Sequence, residues 1–155
     1  MDTGEPTVTS TDTPHMPTDA RLLTLTQWLS PSFPVGAFAY SHGVEQAIRE
    51  VWIGTAQDLQ DWLQSCLTHG SGRSDAVFLR LAFAAKDPCE IDATARAFAA
   101  SRERVLEAEK QGTAFVRTVN TVWGFDLPPF LLPVAVGASA ARAELDVTAA
   151  TALYL

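Results

Sequence analysis

Lysine is nearly missing from this chain. Lys86 and Lys110 are the only two, and the 11 basic residues stand against 18 acidic ones for a formal net charge of −7 at pH 7. Nucleic acid and anionic membrane surfaces are bound through clustered Lys and Arg that neutralise phosphate or lipid charge, so neither is expected as a partner. Cysteine is equally scarce. Cys66 and Cys89 form no C-x-x-C pair and are too few to staple a secreted mini-domain, which points to a reducing cytoplasm. The longest apolar run, Phe130 to Ala141, is interrupted by Pro133 and Gly137. It falls short of the roughly 18 to 20 residues that span a bilayer. Basic residues are absent from positions 1 to 20, which carry Asp2, Glu5, Asp12 and Asp19 instead, so no secretory signal is read there.

Catalytic signatures are missing as well. Neither G-x-x-x-x-G-K-[ST] nor G-x-G-x-x-G occurs, so no backbone loop is set up to hold the phosphates of GTP or ATP. His15, His42 and His69 are too far apart for one helix face to offer paired metal ligands. Cys66 falls in an apolar stripe, where a free thiol packs as a small hydrophobe, and His69 precedes Gly70 at a helix end, where a cation favours the dipole. No G-x-S-x-G elbow places a nucleophile beside a base. The expectation is therefore no catalytic residue, no cofactor and no metal site within one chain. An alternative is a small helical enzyme using His42 and Glu45, at i and i+3, as an acid and base pair. Two polar residues at a helix start more commonly cap it. A third possibility is carriage of a metal ion by a dimer pooling His15 or His42 pairs.

What is present is helix. The chain holds 24 alanines and 16 leucines against only 3 isoleucines, a composition of high helix propensity. We expect an all-α, single-domain bundle of about seven or eight helices over residues 20–155, behind a disordered acidic tail at 1–19. Asp19 is the expected cap of a first helix that stops at Ser30, before Pro31. Ser41 is expected to cap a second helix running to about Val51, with Glu45 in its first turn. Thr55-Ala-Gln-Asp58 resembles a capping box ahead of Leu59, Trp62, Leu63, Cys66 and Leu67, a full amphipathic stripe. Further helices are expected from about Ser74 to Ala85, Glu90 to Ala100, Ser101 to Thr121, Phe130 to Ala143 and from Asp146 onward. Arg102 to Lys110, with Glu103, Glu107 and Glu109 alternating in sign, reads as a solvated face. Gly112 inside its helix implies close helix packing.

Residues 31 to 45, Pro-Ser-Phe-Pro-Val-Gly-Ala-Phe-Ala-Tyr-Ser-His-Gly-Val-Glu, stand apart. Pro31 and Pro34 stiffen the segment, Gly36 and Gly43 permit positive φ, and Phe33, Phe38 and Tyr40 place large apolar area in a loop. Phe33, next to the first helix, is assigned to the core. Phe38, behind the small residues Gly36 and Ala37, is the expected aromatic anchor for a partner.

The segments Trp28-Leu29-Ser30-Pro31, Phe33-Pro34-Val35-Gly36-Ala37-Phe38 and Tyr40-Ser41-His42-Gly43-Val44-Glu45 together resemble the signature of the urease accessory protein UreF family. Asp75, Ser101-Arg102-Glu103 with Glu109 and Gly112, Pro133 to Gly137, and Ala152-Leu153-Tyr154-Leu155 agree with it. The resemblance runs from about Leu22 to Leu155. It implies an all-helical cytoplasmic homodimer without catalytic chemistry. Such a protein bridges the accessory protein UreD, also called UreH, and the GTPase UreG, so that nickel reaches the urease apoprotein, and it regulates the GTPase. Family members continue several tens of residues further, so the chain is expected to be a truncated product. The loop and the resemblance together make Pro34, Gly36, Phe38, Tyr40, Ser41, His42, Gly43 and Glu45 the candidate partner-binding residues.

Overall fold

Side-chain caps and prolines, placed by the sequence, set the helix boundaries. The computed structural model describes residues 20–36, 41 and 43–155, and among these it contains eight helices and no strand. The helices are α1 (Ala20–Trp28), α2 (Val44–Arg49), α3 (Ala56–Thr68), α4 (Ser71–Ala84), α5 (Pro88–Phe98), α6 (Arg102–Trp123), α7 (Leu132–Arg142) and α8 (Val147–Tyr154). Thr55 starts α3 with a complete capping box: its hydroxyl accepts the Asp58 N–H at 3.2 Å, and its own N–H donates to the Asp58 carboxylate at 2.9 Å. Asp87, Ser101 and Asp146 cap α5, α6 and α8 through a side-chain oxygen that accepts the N–H of Cys89, Arg104 and Ala149 respectively. The expected cap Asp19 and the tail 1–19 lie outside the described residues.

Several boundaries differ from the sequence expectation. Helix α4 begins at Ser71 instead of Ser74, immediately behind Gly70, and α5 begins at Pro88, whose missing N–H costs nothing in a first turn. Ser41 does not cap α2: the cap is Gly43, at φ 83° with no side-chain cap bond, and Ser41 contributes its carbonyl, which accepts the Val44 N–H at 3.0 Å. Helix α2 stops at Arg49, because Val51 turns to φ 61° and closes it with bonds from Val51 N–H to Ile48 O and Trp52 N–H to Ala47 O.

Helix α7 is the centre of the molecule, packed against α4 and α6, and every residue from Pro133 to Ala140 is buried. Glycine decides how close these elements come. A Cβ on Gly137 would lie 2.2 Å from the Leu79 carbonyl oxygen in α4, and one on Gly112 would lie 2.0 Å from the Phe130 carbonyl oxygen. Gly112 thus admits the extended segment leading into α7, where helix against helix was expected. Buried Asp92 on α5 holds that segment by accepting the Leu131 N–H at 2.6 Å. Asn120 pins the loop before it, donating to Leu127 O at 2.9 Å and accepting Leu127 N–H at 3.1 Å. At the other end of the core Trp28 meets Phe115, Trp123 and Phe125 edge-on, with ring centroids 5.5, 5.3 and 6.4 Å apart.

Candidate interaction surface

The segment after α1 folds as a tight sequence of turns. Phe33 N–H donates to Ser30 O at 2.9 Å, Ser32 N–H donates to the Ser30 hydroxyl at 3.1 Å, and the Phe33 ring enters the core 5.3 Å from Phe115. Phe33 is a core residue, as expected. Pro34 and Gly36 are exposed. Gly36 sits at φ 72° and a Cβ there would meet nothing within 4 Å, so its backbone conformation, not space, is what calls for glycine. Ser41 is half-buried, Gly43 and Glu45 are exposed, and a Cβ on Gly43 would touch the Trp62 ring at 3.4 Å. Phe38, Tyr40 and His42 lie outside the described residues. The candidate set therefore supplies an exposed Pro34–Gly36 bend and an exposed α2 start around Glu45.

Next to this segment opens a cleft of about 700 Å³. Its walls come from the end of α1, from Val35, Ser41 and Val44, and from α3 and the last turn of α8; α6 and α4 form its floor. Helix α3 has an amphipathic stripe, but none of its residues is buried. Cys66, expected in the core, is half-exposed on the cleft wall.

The floor is a linked set of polar side chains on three helices. Asp75 of α4 accepts from the Arg104 guanidinium and, at 2.9 Å, from the Tyr154 hydroxyl. Arg104 also pairs with Glu107 at 3.3 Å, and Gln111 donates to Glu107 at 3.4 Å. Burial pushes the Asp75 carboxyl above its ordinary range against the opposing pull of Arg104. Burial likewise pushes the Tyr154 phenol well above its usual value, so it stays a neutral donor. For Arg104, burial works against the charge but Asp75 and Glu107 outweigh it, and its pKa is raised. These groups hold one another in place and tie α4, α6 and α8 together.

This set was not assembled from the sequence. Asp75 is a lone acid in an apolar helix, which was the available signal. The expected solvated face of Arg102 to Lys110 is corrected in part: Glu107 is buried at the cleft floor, and Glu109 bonds to Arg96 at 2.9 Å while Arg96 also grips Asp92 at 2.6 Å. Among the described residues, no group of three or more His, Cys, Asp or Glu side chains could hold a metal ion, and no helix is long and apolar enough to cross a membrane.

The profile of the UreF family matches residues 53–155, about two thirds of the chain. The chain belongs to the UreF family. Proteins named urease accessory protein UreF match nearly all of it: one from Roseobacter denitrificans is 50% identical over 141 residues, covering 90% of this chain. Others from Cereibacter sphaeroides strain KD131 and Dinoroseobacter shibae are 49% and 50% identical over 136 and 137 residues, each covering 88% of this chain. The chain spans 63% of the Roseobacter relative's length and 65% of the other two. These UreF relatives are named accessory proteins and not catalysts, which favours a non-enzymatic reading over the His42 and Glu45 acid–base pair.

Proposed function

We propose that this UreF family member is a non-catalytic scaffold of urease maturation. It links the UreD/UreH accessory protein to the GTPase UreG, so that nickel is inserted into the urease apoprotein, and it regulates the GTPase from that position. It works as a cytoplasmic homodimer, and its partner contacts centre on Pro34, Gly36, Phe38, Tyr40, Ser41, His42, Gly43 and Glu45. The observation that carries this reading is identity near 50% along almost the whole chain to proteins named urease accessory protein UreF. Exposed Gly36 supports the location, since its positive φ serves the path of the chain and a Cβ there would meet nothing within 4 Å.

The test is a pull-down of purified UreD/UreH, UreG and urease apoprotein with this chain and with Phe38→Ala. The wild-type chain is expected to retain UreD/UreH. Phe38→Ala is expected to lose about 2 kcal/mol or more of binding with an unchanged thermal midpoint. Loss of fold in the mutant would place Phe38 in the core, and full binding by a stable mutant would remove the loop from the interface.

A further inference from the structure

We propose that the outer face of α4, together with the end of α5, is a docking surface for a partner protein that presents an apolar side chain flanked by acidic residues. It is a second contact of the same scaffold, separate from the 31–45 loop, and so rests on that reading.

Helical spacing assembles the face. Arg73, Val77, Arg80, Leu81 and Ala84 fall on one side of α4, at i, i+4, i+7, i+8 and i+11, and all are exposed, Val77 by 48% and Leu81 by 47%. Phe78, Leu79 and Ala82 take the opposite side and are buried. Phe98, the last residue of α5, extends the face: its ring meets Phe78 edge-on with centroids 5.8 Å apart, yet the residue is 70% exposed. Arg73, Val77 and Phe98 border a cleft of about 570 Å³ whose inner wall includes buried Ala95 and Leu131. That volume falls within the range of ligand pockets, about 300 to 1,000 Å³, and gives an apolar anchor a socket.

Charge identifies the occupant. In a chain of 18 acidic and 11 basic residues, this side of α4 carries two arginines and no acid. The one acid of α4, Asp75, is held by Arg104 and Tyr154 instead. Arg73 and Arg80 have no ion pair among the described residues. Exposed guanidinium groups interleaved with apolar side chains complement carboxylates set around an apolar anchor. The interleaving also argues against cover from within the fold, because it would desolvate both arginines, whereas α7 carries no charge from Pro133 to Ala140, where it is buried. A second copy docked face to face would set arginine against arginine. Anionic membranes are bound through clusters of about four to eight cations, and two are too few.

The test measures binding of the chain to purified UreD/UreH, UreG and urease apoprotein, each alone, at low and at high salt. One of the three is expected to bind the wild type in a salt-sensitive manner and to bind Arg73→Glu with Arg80→Glu about tenfold or more weakly. Phe98→Ala changes no charge and is expected to weaken binding of the same protein about tenfold, with the thermal midpoint nearly unchanged because the ring is mostly exposed. If Phe98→Ala does not fold, Val77→Ser with Leu81→Ser takes its place, since both side chains are half-exposed. Wild-type binding that folded variants leave intact overturns the docking face and leaves the scaffold reading standing; wild-type binding of none of the three overturns both. Loss with the arginine pair alone marks a general charge effect and also overturns the face. So does a dimer in sedimentation that depends on the two arginines, which would give the face to a second copy. Arginine-dependent capture by vesicles of phosphatidylcholine and phosphatidylserine would give it to lipid and overturns it equally.

Discussion

Helix α7 is apolar nearly all round and α3 along a single stripe, and the two end up in opposite circumstances. Helix α7 is buried from Pro133 to Ala140 between α4 and α6, with backbone so close that only glycine fits at Gly137. Helix α3 has the cleaner amphipathic stripe and buries none of its residues. A hydrophobic pattern therefore states which face of a helix can be buried. Whether it is buried depends on an opposing element being present.

Substitution should separate the two regions, most strongly at the glycines. Gly137→Ala and Gly112→Ala drive a methyl into the carbonyls of Leu79 and Phe130. Overpacking usually costs about 1–3 kcal/mol, and a backbone obstacle places these at or above the top of that range. Loss of cooperative melting is expected for both. Gly36→Ala meets nothing within 4 Å and retains only the strain of positive φ, about 1–2 kcal/mol. Equal effects at Gly36 and Gly137 would erase the distinction.

The leucines give the next contrast. Leu79 is fully buried beneath α7, and Leu79→Ala should cost about 2–5 kcal/mol in urea unfolding. Leu63 is half-exposed on α3, and Leu63→Ala should cost about 1 kcal/mol or less, since little area leaves water there. A large loss at Leu63 would mean that α3 is already covered.

The same contrast explains what could be read from the sequence. Elements defined by local chemistry were legible: the Thr55–Asp58 capping box, the helix starts near Ser101 and Asp146, and the assignment of Phe33 to the core all rest on neighbours in sequence. The family was legible because the 28–45 motif is long. What depended on distant partners was not. Asp75, Arg104 and Tyr154 come from three helices, and Glu107 looks like any surface acid until α4 and α8 fold against it. Cys66 was misplaced because its stripe specifies a face and not its neighbour. The early end of α2 was hidden because valine, not glycine, takes the left-handed position.

Acid should act oppositely on carboxylates of the two kinds of setting. Asp58 and Asp87 are lowered, chiefly by the hydrogen bond from the Thr55 hydroxyl and by that from the Cys89 N–H. Their contributions are present above the ordinary Asp value of about 3.9 and are lost as pH falls. Asp75 is raised, chiefly by burial at the cleft floor. Between the ordinary value and its own, the native state binds more protons than the unfolded one, so this group's contribution declines as pH rises. Asp75→Asn removes the opposing slope. Thermal midpoints measured between about pH 3 and pH 6 should then fall more steeply on acidification than in the wild type. A shallower fall would contradict the placement of Asp75 in a desolvated floor.

The smallest effect is expected at the rim of the loosely packed side, where Val51 closes α2. Val51 N–H bonds to Ile48 O at 3.1 Å and Trp52 N–H bonds to Ala47 O at 2.9 Å, the paired bonds that end a helix through a left-handed residue. Val51 holds φ 61° with its side chain 80% exposed, so its β-branched group is strained and gains little from burial. Val51→Gly relieves about 1–2 kcal/mol of left-handed strain. The added freedom of glycine in the unfolded chain returns about 0.5–1 kcal/mol of that. The balance is a stabilisation of about 0.5–1 kcal/mol, a rise of a few degrees in thermal midpoint for a chain of this size. The matching left-handed residue on the packed side, Glu144 at φ 52°, ends α7 with the same pair of bonds but is followed by buried Leu145. Glu144→Gly should help by a similar amount, less the small contribution of the exposed 3.2 Å pair with Arg21, because the strain is local to the backbone and blind to what packs nearby. A stabilisation at Glu144 without one at Val51 would show that the exposed Val51 side chain has a contact that offsets its strain.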